Sequence, residues 1–144
     1  MYVLKPMFPT WTPFFMPHPI RAERIWKEDE VRAIMMDKSN EHGLSYNGKP
    51  FCLGTATGLV RALEASNTLF SSYSVPFHIN HGTNDPGVPV EGSKRLFEQC
   101  KTPDGDKELN IVEGGYHALF SQLDAEKTMQ HEIDWMEARI EPKK

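Results

Sequence analysis

Two short stretches constrain this chain more than anything else in it. They are Val75–Asp85, Val-Pro-Phe-His-Ile-Asn-His-Gly-Thr-Asn-Asp, and Leu109–His117, Leu-Asn-Ile-Val-Glu-Gly-Gly-Tyr-His. Each is a run suited to a buried strand that stops at glycine and delivers one ionisable residue just past the strand end. Between them, Glu91 to Cys100 sets Leu96, Phe97 and Cys100 on one side, which predicts a helix. A last helix is expected over Ala125–Ile140, where Met129, Ile133, Met136 and Ile140 fall on a single face. Strand, helix, strand, helix is the βαβ order of a parallel sheet covered on both faces, so the fold class is α/β. Only two strands are legible, Val75–Asn80 and Leu109–Val112, whereas such sheets normally hold more. The expectation is the closing portion of a larger sheet.

Upstream of residue 75 the pattern changes. Residues 1–20 hold five prolines among the aromatics Tyr2, Phe8, Trp11, Phe14 and Phe15. Proline at this density forbids a continuous helix and disfavours a central strand. An extended apolar connector is expected, its aromatics packed on the body or forming an oily lip for an acyl chain. Residues 21–38 read as a helix with an apolar stripe of Ile25, Val31, Ile34 and Met35. Ser39 to Lys49 is a loop rich in Asn and Gly. A second helix is expected over Leu53–Ser66, with Leu59, Val60 and Leu63 sharing a face. Residues 21–74 thus form a small helical layer ahead of the first strand.

Composition excludes several classes of function. The chain has 144 residues, 39% hydrophobic and 25% charged, with a net charge of −4. One ordinary globular domain fits that length, and a mildly acidic chain lacks the clustered basic face that nucleic acid requires. Cys52 and Cys100 are far apart without C-x-x-C spacing, which favours reduced thiols over a disulfide or a metal site. No apolar run reaches the roughly 20 residues of a membrane-spanning helix. The proline-broken N-terminus does not read as a signal peptide. A cytoplasmic location is expected, with peripheral contact to membranes as a further expectation.

The candidate chemistry lies with Asp85 and His117, one strand–helix–strand step apart. Reactive groups collect at the carboxyl ends of strands in parallel sheets. An imidazole titrates near neutrality and suits a general base, and a carboxylate beside it would hold its tautomer. These are two thirds of a nucleophilic triad. Equally open on residue types alone is a loop-capping Asp85 and a surface His117. An activated serine is not found. Gly54-Thr55-Ala56-Thr57-Gly58 has the outline of the G-x-S-x-G elbow, but alanine stands at the nucleophile position and no apolar strand precedes it. Small residues there more simply let a helix pack closely. His78 and His81 make an H-x-x-H pair, but residues three apart on a strand point to opposite faces, so no metal is expected. His81 is expected to shape the turn before Asp85. His18, His42 and His131 fall in a connector, a loop and a helix face, where no role is expected.

Taken together, residues 75–85 and 110–117 resemble the acid and base strands of α/β-hydrolases of the monoacylglycerol lipase type, grouped as serine aminopeptidase S33. Residues 25–32 and 46–50 resemble that family's cap, and residues 131–136 its final helix. The resemblance runs from about residue 20 to the end. It implies a partial α/β-hydrolase fold: connector 1–20, helical cap 21–74, and residues 75–144 as the C-terminal part of the hydrolase domain. Asp85 would be the triad acid and His117 the base. In family order the nucleophile and the oxyanion loop come before the cap, so this chain would be the C-terminal half of an ester hydrolase. The substrate implied is a small lipid or ester such as a monoacylglycerol or lysolipid, with no cofactor and no metal. The alternative is a non-catalytic binding module or degenerate copy of the same fold. A sheet cut short would leave an edge open to self-association.

Overall fold

The computed structural model describes residues 8–14, 21–37, 39 and 51–140. The expected loop at 39–49, apart from Ser39, lies outside the described residues. So do the cap piece at 46–50, residues 1–7 and 15–20 of the connector, and His18 and His42. In chain order the elements are α1 (Ala22–Ile25), α2 (Asp29–Met36), α3 (Leu53–Leu69), β1 (Phe77–Gly82), α4 (Val90–Gln99), β2 (Lys107–Val112) and α5 (Ala125–Glu137). Short 3₁₀ turns follow α3, precede β2 and precede α5.

The sheet is the α/β element that the sequence predicts. β1 and β2 pair in parallel, in a register that sets Phe77 beside Lys107, His78 beside Glu108 and Gly82 beside Val112. Both strands are displaced from the expected bounds, for physical reasons. Pro76 has no N–H to give, so pairing begins at Phe77, and glycine does not stop β1 but closes it. β2 begins two residues early because its charged side chains have partners. The Lys107 ammonium lies 4.8 Å over the Phe97 ring and donates to the Phe97 carbonyl at 3.0 Å.

Side chains alternate across the sheet. Phe77, Ile79 and His81, with Lys107, Leu109 and Ile111, share the face turned to α4. His78 and Asn80, with Glu108 and Asn110, share the face turned to α5. That second face is polar, and α5 answers it with polar residues. Glu132 accepts from His78 Nδ1 at 2.9 Å and from Asn80 Nδ2 at 2.6 Å. Asn110 Nδ2 in turn donates to Asn80 Oδ1 at 2.7 Å. The apolar stripe of α5 therefore points the other way: Met129, Ile133 and Met136 are exposed, as is Ile140 beyond the helix, which ends at Glu137 and not at the expected Ile140. The single face read from the sequence exists, but among the described residues it is left partly exposed.

The helical layer also departs from expectation. The one helix predicted over 21–38 is two, divided where Trp26 and Glu28 adopt extended backbone. Trp26 is buried at that corner, while Ile34 of the predicted stripe is exposed. The helix predicted from Leu53 continues to Leu69, and Leu59 and Leu63 on its predicted face are exposed. Its N-terminus is where the proline-rich stretch docks. Leu53 N–H donates to the Trp11 carbonyl at 2.9 Å and Gly54 N–H to the Pro9 carbonyl at 2.7 Å, filling two of the free donors that every helix start leaves. A Cβ on Gly54 would stand 2.8 Å from the Pro9 oxygen, whereas one on Gly58 would meet nothing within 4 Å. Close packing thus explains the first glycine of the false elbow and not the second.

Beyond the strands, the two loops are joined backbone to backbone. Thr83 N–H donates to Val112 O at 3.0 Å and Asn84 N–H to Gly115 O at 2.9 Å. Gly114 N–H donates to Thr83 Oγ1 at 2.8 Å. A Cβ on Gly82 would stand 2.2 Å from the Gly115 oxygen, so the approach requires glycine. Gly82→Ala is expected to cost about 3 kcal/mol, the upper end for overpacking. Gly58→Ala, in open helix, should gain roughly 0.5–1 kcal/mol. Urea unfolding midpoints of the two variants check this. Equal midpoints would show that the loops separate freely.

Candidate active site

Asp85 and His117 meet. His117 Nδ1 lies 2.8 Å from Asp85 Oδ2. Each side chain is delivered by a loop from one parallel strand end, and the glycine contact between those loops sets their spacing. The Asp85 side chain is 6% exposed and that of His117 47% exposed. The other oxygen of Asp85 is held as well: Oδ1 accepts Gly87 N–H at 2.7 Å and Val88 N–H at 2.9 Å. Asp85 is thus both of the things its sequence context allowed, a cap on its loop and a partner for His117.

Burial pushes the Asp85 carboxyl upward, but the His117 bond, the Val88 and Gly87 amides and the charge of His117 together outweigh it, so the group titrates below the usual carboxylate range. A carboxylate accepts hydrogen bonds and does not donate them, so Nδ1 of His117 carries the proton. Nε2 is then the nitrogen free to accept one.

His81 supports this arrangement from beneath. The residue is buried, and its Nε2–H donates to the Val88 carbonyl at 3.0 Å while Nδ1 accepts the Ser93 hydroxyl at 2.7 Å. It also stands 3.8 Å from Asp85 Oδ2. His81 therefore shapes the Asp85 loop, as its place in the sequence suggests. His78 points to the opposite face, toward α5, so the H-x-x-H pair does not converge.

A surface cavity of about 600 Å³ opens beside the pair, bordered by His117, Ala118, Leu119, Phe120 and the edge of β1. The N-terminal helices reach the same place, since Ala118 N–H donates to the Ile25 carbonyl at 3.0 Å. Residues missed by sequence reasoning are Glu132 and His131 on α5. Glu132 ties α5 to β1, and His131 Nε2 lies 2.5 Å from Glu108 Oε1. The reading of His131 as an idle helix-face histidine is corrected by that bond. The alternation of polar residues in β1 and β2 was the available signal, since a polar sheet face needs polar partners on the helix above it.

Comparison with known proteins gives the following. A sequence model of the family described as serine aminopeptidase, S33, matches residues 1–124. Caffeoylshikimate esterase of Arabidopsis thaliana is 31% identical over 98 residues, which cover 66% of this chain and 29% of the esterase. The crystal structure of Paleococcus ferrophilus monoacylglycerol lipase superimposes with a TM-score of 0.73 at 21% identity, over 94% of this chain and 49% of the lipase. A soluble variant of monoglyceride lipase from Saccharomyces cerevisiae, in complex with a substrate analogue, gives 0.65 at 16% identity, over 98% of this chain and 46% of that one. The two lipases share the α/β-hydrolase fold with this chain, in part. The chain spans about half the length of these lipases and less of the esterase. No helix among the described residues is long and apolar enough to cross a membrane.

The state of Asp85 has a consequence for stability. Its folded value lies below the ordinary value of about 3.9, so the ionised carboxyl stabilises the fold above about pH 4 and that contribution fades as pH falls through the lowered value. Wild type is therefore expected to exceed Asp85→Asn in urea midpoint at pH 6, with the gap shrinking steadily below pH 4. A gap independent of pH from 6 to 3 would refute the assignment.

Proposed function

Taking as premise that the chain belongs to the serine aminopeptidase S33 family, we propose that Asp85 and His117 are the acid and base of a serine hydrolase acting on carboxylic esters. The observation that carries this reading is the 2.8 Å contact between the two side chains at neighbouring strand ends, with the imidazole exposed beside a cavity. In the mechanism, His117 Nε2 takes the proton of a serine hydroxyl as its oxygen attacks the ester carbonyl. Asp85, held by two backbone amides, keeps the ring in the reactive tautomer and stabilises the imidazolium that forms. His117 then returns the proton to the departing alcohol, and the cycle repeats with water to release the acid.

The serine and the oxyanion donors come, in this proposal, from sequence outside this chain. The chain's share of its relatives' length supports that, as does the alanine within the Gly54–Gly58 stretch. Residues 21–74 serve as the cap portion, 75–144 as the C-terminal part of the hydrolase domain, and 1–20 as the connector. Monoacylglycerols or lysolipids are the substrates best supported, because the similar structures are monoacylglycerol lipases and the cap side exposes apolar residues such as Leu59 and Leu63. The exposed stripe of α5 and the free edge of β1 are faces for further sheet of the same domain.

Two measurements test this. The purified chain should hydrolyse a short-chain ester no faster than Asp85→Asn or His117→Ala versions of it, at the buffer rate. Joined to the first half of the Paleococcus ferrophilus lipase, it should gain activity that either substitution lowers by about 10³–10⁴-fold. Turnover by the isolated chain that the substitutions abolish would overturn the external serine. An active chimera indifferent to both substitutions would overturn the roles of Asp85 and His117. Alone, the chain is expected to self-associate through its open strand edge and apolar faces. Sedimentation as a sharp monomer at all concentrations would count against that.

A further inference from the structure

We propose that His78, Glu108 and His131 form a binding site for a zinc-type divalent cation, independent of the hydrolase reading. His78 and Glu108 are register partners on β1 and β2, so their side chains stand together on the sheet face turned to α5. His131 comes down from α5 onto the same spot. One ligand atom from each of the three lies within 4.8 Å of the other two. Two imidazoles and one carboxylate are a donor set that suits zinc and not the oxygen-seeking calcium or magnesium.

The second, independent sign is His78 itself. Its side chain is 1% exposed. Nδ1 is taken by the Glu132 carboxylate at 2.9 Å, and the same oxygen is fixed by Asn80 Nδ2 at 2.6 Å. A carboxylate on Nδ1 puts the proton there and leaves Nε2 with a bare lone pair. That Nε2 is buried and has no hydrogen-bond partner among the described residues. A buried acceptor without a donor is costly, and a cation satisfies it. A carboxylate behind a histidine, with the opposite nitrogen directed at an ion, is the usual support around zinc ligands.

The site also has room and access. Glu108 and His131 are each 41% exposed and border a surface cavity of about 330 Å³ through which an ion can enter. Donor atoms around tetrahedral zinc sit roughly 3.3 Å apart, as bonds of about 2.0–2.1 Å require. His131 and Glu108, now 2.5 Å apart, must spread slightly to admit it. The His78 and His131 rings are stacked at 5.0 Å, so His131 must also turn to aim its nitrogen. Its exposure permits that. The bound ion would join β1, β2 and α5 near the starting ends of the strands, away from Asp85 and His117, as a structural clamp.

The test uses untagged full chain stripped with a chelator and titrated with zinc against a chromophoric chelator. One zinc per chain is expected, with a rise in melting temperature. Cobalt should give the intense visible bands of a four-coordinate site. His131→Gln and Glu108→Gln, both at exposed positions that the fold tolerates, should weaken binding by at least about tenfold and abolish the thermal rise. Glu132→Gln should weaken it by about 10–100-fold through His78. Binding well below one zinc per chain, or binding equally tight in His131→Gln and Glu108→Gln, would overturn the site.

Discussion

The contact between Gly82 and Gly115 governs the candidate site. Two parallel strands normally diverge once their ladder ends, because nothing then fixes the chains that leave it. Here a Cβ at Gly82 would lie 2.2 Å from a backbone oxygen, so the chains touch where side chains would hold them apart. Hydrogen bonds donated by the Thr83 and Asn84 amides extend the pairing past the last strand residue. The positions of Asp85 and His117 are therefore a property of the backbone. A carboxylate and an imidazole held this way need no reorganisation to work together, which is what a positioned acid–base pair requires.

The second organising feature is the polar interior between the sheet and α5. An α/β sheet face is expected to be apolar, yet here it carries His78, Asn80, Glu108 and Asn110. Such a face is stable only if each group finds a partner, and Glu132, His131 and the Asn80–Asn110 pair supply most of them. Trp135 and His131 lie alongside the His78 ring, adding ring contacts to the hydrogen bonds. Because α5 turns its polar side inward, its methionines and isoleucines turn outward. In the hydrolase reading those residues, with Leu59 and Leu63 of α3, are surfaces that the remainder of a larger domain covers.

Much of this was legible in the chain. Both strand–glycine units, the helix between them and the last helix were readable, because strand and helix periods and glycine stops are local properties. Strand bounds moved by two residues at Pro76 and Lys107, where a missing amide and a cation over the Phe97 ring decided the matter. The helix expected over 21–38 divides at Trp26, where the backbone turns extended and the large ring is buried. The direction of the α5 stripe could not be read. Periodicity says that a face exists, while which way it turns depends on what lies across from it.

The amino-acid order by itself determined that a carboxylate and an imidazole would arrive from successive parallel strands, since strand, glycine and ionisable residue are adjacent in the chain. It also determined that the central position of the Gly54–Gly58 stretch carries no hydroxyl, because alanine stands there. Only the tertiary structure decided that Asp85 and His117 touch, and that His78, Glu108 and His131 converge from three elements. Those relations are between residues far apart in the chain. They are set by strand register and by how closely two glycines let backbones approach, and neither quantity is written in any local pattern.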